Sequence, residues 1–113
     1  MSAITTHVLD TSRGKPAGGV PVSLEVRTED GAWKTLDKRA TDADGRAKML
    51  AEETHAPRGV YRLSFDTAAY FQALNLEGFY PEVRIVFEVR DPSQHYHVPL
   101  LLSRYGYTTY RGS

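Results

Sequence analysis

Cysteine is absent from this chain, tryptophan occurs once and methionine twice. Without thiols there is no disulfide framework and no thiolate metal site. Net charge is missing as well. The 14 Lys and Arg residues balance 14 Asp and Glu residues, so no net field draws the molecule to nucleic acid or to a lipid surface. No apolar run approaches the roughly 20 residues that a membrane-spanning helix needs. The opening MSAITTHVLD lacks a charged-then-apolar leader and the last residues carry no Ser-Lys-Leu address, so cytoplasm is the expected compartment. Internal repeats, low-complexity tracts and long linkers are absent too. What remains is 113 residues, 41% hydrophobic and 25% charged, the profile of one soluble globular domain over residues 1–113.

Alternation of apolar and polar residues dominates what is present, and it argues for strands. In residues 4–9, Ile4, Thr6 and Val8 share one face and Thr5, His7 and Leu9 the other. The DTSRGKPAGG run at 10–19 is a loop of turn-forming residues. Val20, Val22, Leu24 and Val26 then point inward, with Ser23, Glu25 and Arg27 outward, as in a half-buried antiparallel strand. Glu29-Asp30-Gly31 turns the chain into a strand at 33–39, and TDADG at 41–45 into another at 46–50. Tyr61, Leu63 and Phe65 alternate after a Pro-Arg-Gly break, as do Val83, Ile85, Phe87 and Val89 after Pro81. The one helical stretch is 67–75 (TAAYFQALN), with Asp66 or Thr67 as N-cap, Asn75 as the stop, and Phe71 and Leu74 facing a sheet. Asp91-Pro92-Ser93 leads into a closing pair at 94–103 and 105–111. About eight strands, with turn signals roughly every eight to twelve residues, predict an all-β fold: a two-sheet β-sandwich with one short helix near residues 67–75.

The residues able to carry chemistry gather near the end, in HYHVPLLLSRYGYTTYRGS at 95–113. His95 and His97 project from one strand face, whereas Tyr96, Val98, Leu100 and Leu102 form the core face. The histidine face continues through Pro99, Leu101 and Ser103, a surface apolar enough for a partner subunit to cover. Three readings of the histidines stand side by side: plain surface residues, a metal site, or an acid–base pair. An HxH strand supplies two imidazoles but needs a third ligand, His7 or a carboxylate, and no HExxH accompanies it. In the acid–base reading, His7 and His97 hold a water and move its proton, because imidazole titrates near neutrality. Arg46, leaving the TDADG turn, and Arg111, near the end of the chain, are candidate anion binders. Asp42 and Asp44 read as a turn rather than a calcium loop, since no glutamate follows at the required distance. Trp33, Tyr61, Phe65 and Phe87 sit at strand parity and are expected in the core, with His55 exposed in a loop.

The closing HYHVPLLLSRYGYTTYRGS, the opening THVLDTSRGKPAGGVPVSLE and the turn TDADGR together resemble the signatures of the transthyretin-related 5-hydroxyisourate hydrolases. The resemblance covers nearly the whole chain, and the terminal Tyr-Arg-Gly-Ser, which transthyretin itself lacks, is its most specific part. It implies a transthyretin-like β-sandwich of two four-stranded sheets with one short helix. It also implies a homotetramer, a dimer of dimers, with active sites where the dimers meet. The implied reaction is hydrolysis of 5-hydroxyisourate to 2-oxo-4-hydroxy-4-carboxy-5-ureidoimidazoline in urate degradation, with no cofactor and no metal. Position by position, the family's catalytic residues fall on His7, Arg46, His97 and Ser113, and its substrate-binding residues on His7, Arg46, Tyr110 and Arg111. The base is left open between the two histidines. One departure is that Arg104 and Thr108 stand where the family usually has proline and serine. The lost proline is expected to loosen the turn before the last strand and the arginine to add charge near the site mouth. The alternative activity is that of a non-enzymatic, transthyretin-like carrier of a small ligand.

Overall fold

The computed structural model describes residues 3–50 and 55–113. In chain order the elements are β1 (Ile4–Asp10), β2 (Lys15–Pro16), β3 (Pro21–Arg27), β4 (Trp33–Ala40), β5 (Arg46–Met49), β6 (Gly59–Phe65), α1 (Thr67–Ala73), β7 (Val83–Val89), β8 (Tyr96–Leu102) and β9 (Tyr107–Thr109). They form the expected two-sheet sandwich. One sheet has four strands in the order β4-β3-β6-β7, and the other has five, because the two-residue β2 and the longer β5 share one edge of β1 while β8 and β9 follow on its other side. Alternation explains the layers. Ile4, Val8, Leu100 and Leu102 bury one face of the first sheet against Val22, Leu24, Leu63 and Phe65 of the second.

The helix seals one end. Its N-cap is Asp66, whose carboxylate accepts the Ala69 N–H at 3.0 Å. It stops at Ala73, and Asn75 takes the left-handed conformation (φ 57°) that ends helices. Phe71 is buried and Leu74 packs against the core, as the spacing predicts. Tyr70 ties the helix to β1 by donating its hydroxyl to the buried Asp10 carboxylate at 2.7 Å.

Three local expectations need correction. The strand after TDADG ends at Met49, because Leu50 has a positive φ of 69° and gives its N–H to Asp37 Oδ2 at 2.7 Å. Trp33 is outside the core. It lies half-exposed with the Arg62 guanidinium 4.3 Å from its ring, so parity put it on the wrong face of an edge strand. Arg104 does not line the histidine cavity. Its Nε donates to the Glu77 carbonyl at 2.6 Å and its own carbonyl accepts the Phe79 N–H at 2.7 Å, which braces the turn that proline otherwise stiffens. Of the EETHAPRG stretch, residues 52–54 lie outside the described residues, and His55 is exposed.

Two pairings of β1 build the site. β1 runs parallel to β8, so residues far apart in sequence lie side by side: Thr5 beside His97 and His7 beside Pro99. On its other edge β1 is antiparallel to β5, which sets His7 opposite Arg46 and Thr5 opposite Lys48. Because Ile4, Thr6 and Val8 face the core, Thr5 and His7 must face out.

Candidate active site

On that outer face Thr5, Arg46, Lys48, His95, His97 and Ser113 line a cavity of about 230 Å3. Gly112 places Ser113 there. It bridges His97 across the sheet edge, giving its N–H to the His97 carbonyl at 2.8 Å. A side chain at this position would force a neighbour to shift, since a Cβ on Gly112 would stand 2.6 Å from His97 Cδ2 and 3.3 Å from Pro99 Cγ. Gly112 therefore packs against the Cδ2 edge of the imidazole.

The TDADG turn holds the opposite wall. Gly45 has φ 78° and passes so close to β1 that a Cβ would meet the Val8 carbonyl at 2.3 Å. Asp42 does what the turn reading requires, with its Oδ1 accepting the N–H groups of Asp44 (2.9 Å) and Arg46 (3.0 Å). The Asp44 carbonyl in turn accepts from His7 Nε2 at 2.8 Å. A carbonyl only accepts, so Nε2 carries the proton and neutral His7 presents a lone pair on Nδ1. Arg46 leaves this turn exposed, and neither it nor Lys48 has a carboxylate partner among the described residues.

His97 is half-buried. Loss of solvent, chiefly, and then electrostatic repulsion from the His95, His7 and Arg46 side chains hold it below the ordinary histidine value, opposed by a hydrogen bond that the ring donates to the Thr5 backbone. The neutral, proton-accepting form is thus favoured near pH 7. Thr5 Oγ1 lies 2.8 Å from His97 Nδ1 and 3.1 Å from His95 Nε2. Nδ1 is held by Thr5 and Cδ2 lies against Gly112, which leaves the Nε2 edge of the His97 ring for the cavity. This arrangement can bind a planar anion against Arg46 and Lys48 and take a proton at His97. Among the described residues no three His, Cys, Asp or Glu side chains gather closely enough to hold a metal ion.

Of the residues named from sequence, the single chain brings Arg46, His97 and Ser113 to this cavity and sets His7 beside it, across from Arg46. It carries Tyr110 and Arg111 elsewhere. Arg111 stacks 4.5 Å from the Tyr96 ring, on the core side of β8, and donates to Gln94 Oε1 at 2.9 Å. Tyr110 lines a separate, mostly apolar cavity of about 180 Å3 with Ile85, Phe87 and Val98, between the β7 and β9 edges. Sequence reasoning passed over Thr5 and Lys48, and weighed His95 only as a surface residue or as half of an HxH metal pair. Parity alone flags Thr5, two residues before His7 on the same face, and Lys48, two after Arg46.

The comparisons with known proteins agree on the family and the fold. The model of the HIUase/Transthyretin family matches residues 4–112. A 5-hydroxyisourate hydrolase of Salmonella typhimurium is 48% identical over 97% of this chain and 80% of its own length. Among solved structures, 5-hydroxyisourate hydrolase of Klebsiella pneumoniae is 37% identical with a TM-score of 0.85, covering 99% of this chain and 100% of that one. Transthyretin from Sparus aurata is 34% identical with a TM-score of 0.92, over 99% and 97% of the two chains. Sequence, sandwich topology and near-complete coverage coincide, and the chain belongs to the HIUase/transthyretin family.

Proposed function

We propose that this protein hydrolyses 5-hydroxyisourate, opening its six-membered ring to 2-oxo-4-hydroxy-4-carboxy-5-ureidoimidazoline. The observation that carries the reading is a neutral-leaning His97 in one cavity with Arg46 and Lys48, two cations without carboxylate partners among the described residues. His97 takes a proton from a water as its oxygen bonds to the ring carbonyl carbon. Arg46 offsets the charge that builds on the carbonyl oxygen. The C–N bond then breaks, and the proton returns to the leaving nitrogen, which stays tethered to the rest of the substrate. His7, fixed by the Asp44 carbonyl, orients substrate or water through Nδ1, and Ser113 adds a hydroxyl.

The test is an ultraviolet time course in which urate oxidase generates the substrate in place. Because the substrate also decays unaided, wild type is compared with His97→Ala at equal concentration. Wild type should accelerate the decay, and the variant should lose about 100-fold or more of that acceleration with unchanged circular dichroism. No acceleration by wild type sinks the reading.

We also assign a homotetramer with sites where dimers meet. Supporting it are the outer edges of β7 and β9, which end the two sheets, and the large exposed side chains of Phe79 (67%) and Tyr105 (68%). Tyr110 and Arg111, which the single chain holds away from the cavity, would meet substrate across such an interface. Light scattering at a monomer mass would overturn this. A carrier role has one observation in its favour, the higher TM-score of 0.92 with a transthyretin. The cationic cavity suits a polar anion better, and thyroxine binding without hydrolysis would reverse that judgement.

A further inference from the structure

The hydrolytic reading leaves the Thr5–His95 pair unused. Thr5 Oγ1 touches both imidazoles, whose rings lie 6.4 Å apart and 14° from parallel. A threonine hydroxyl has one proton and two lone pairs. It can give that proton to His97 Nδ1 or to His95 Nε2, but not to both. Both hydrogen bonds are satisfied only if at least one of the two ring nitrogens carries a proton and donates it to Oγ1. The χ1 stiffness of a β-branched residue, together with the parallel β1·β8 register, keeps the hydroxyl in place.

We propose that Thr5 is a positioning residue for His97 and His95 its proton partner. The proposal rests on the hydrolase reading. In the productive state Thr5 donates to His95 Nε2 and accepts from His97 Nδ1–H. Neutral His97 then carries its lone pair on Nε2, the nitrogen left for the cavity. The tautomer with the proton on Nε2, which free imidazole side chains also populate, turns a donor toward the water and cannot act as its base.

The same hydroxyl offers a path for charge. When His97 Nε2 takes the proton of water, the Nδ1 proton can move to Thr5 Oγ1 as the hydroxyl proton moves to His95 Nε2. One proton enters the chain and one arrives at His95. His97 is neutral again and the positive charge lies on His95. The groups that face His97 make this useful. His7 comes from β1, Arg46 and Lys48 from β5, and His95 from just before β8, so a cation at His97 sits among positive or titratable neighbours.

The experiment uses the full chain as Thr5→Val, which keeps the β-branch, and Thr5→Ser, which keeps the hydroxyl. Nitrogen-15 spectra of labelled histidine report the tautomer of neutral His97 without any substrate. Wild type and Thr5→Ser should show Nδ1–H, and Thr5→Val should shift toward Nε2–H. In turnover, Thr5→Val should lose about tenfold in kcat with KM within about twofold, as expected for lost acid–base positioning rather than lost binding. Its acid limb should move to lower pH, because the His97 cation loses an acceptor, and Thr5→Ser should restore both. Wild-type tautomer and kcat in Thr5→Val would overturn the proposal. If wild type itself fails to speed substrate decay, the hydrolase reading falls. The tautomer comparison then decides the role of Thr5 alone.

Discussion

The two sheets each present a charged outer face, and they spend their charges differently. On the β3–β6 face, Arg62 grips Glu25 with two hydrogen bonds, Nε to Oε1 at 3.0 Å and Nη2 to Oε2 at 2.6 Å. Ser64 donates to the same carboxylate at 2.8 Å, and Trp33 covers the guanidinium. Arg62 and Ser64 both spend their hydrogen bonds on Glu25, so this cluster has little left to offer a ligand. On the β1–β5–β8 face, Arg46 and Lys48 stand over the cavity without a carboxylate partner among the described residues, and the imidazoles are held by neutral groups, a hydroxyl and a carbonyl. Paired charge braces a sheet. Unpaired charge over a cavity is available to a substrate.

Substitutions should separate the faces. The largest effect is expected at Arg46→Ala, a fall of about 100- to 1,000-fold in kcat/KM, the size seen when a transition-state charge loses its donor. Because Arg46 is exposed, its melting temperature should stay within a degree or so of wild type, and a matched fall in both would break the comparison. Arg62→Ala should do the reverse. It strands a carboxylate that is mostly out of water and costs about 2–3 kcal/mol in urea unfolding, with turnover of the folded fraction unchanged.

Gly112→Ala comes next, at about tenfold in turnover. The added methyl forces the His97 ring or the 110–113 segment to shift, yet β9 and the core need not move. Unchanged kinetics would mean that the contact between Gly112 and His97 does not aim the ring.

The smallest effects concern pH, and the two faces lose stability in the same direction, on acidification, but in different windows. Glu25 is held below the usual carboxylate range, first by its Arg62 hydrogen bond. Its contribution is present above the unfolded value near 4 and is lost as pH falls through the lower folded value. His97 is also lowered, but it is a base. As pH falls below about 6.5, the unfolded chain takes a proton that folded His97 declines, so stability drops there and His97→Gln should flatten that slope. In wild type the acid limb of kcat/KM should likewise lie below 6.5. A limb above that value would assign the base elsewhere, with His7 the next candidate.

Much of this was readable one residue at a time. The alternation of Val20, Val22 and Leu24, or of Tyr96, Val98 and Leu100, reports burial directly, because a strand must hide one face and the spacing says which. Asp66 as a cap and TDADG as a turn are local as well, their hydrogen bonds spanning four residues or fewer. His7, Arg46 and His97 came to notice through the signatures around them rather than through any contact among them.

Trp33 shows where parity fails. On an edge strand bent by the irregularity at Leu24/Glu25, an aromatic finds enough partners in Arg62 on the outer face to stay there. The register of β1 against β8 and β5 joins positions that no local pattern connects. It places Thr5 between two imidazoles and Arg46 across from His7, and it leaves Tyr110 and Arg111 at the neighbouring edge. Periodicity names the residues of a face. Which faces meet, and at what offset, depends on hydrogen-bonded pairing between strands roughly 40 to 90 residues apart, a property of the folded sandwich and of no single stretch of chain.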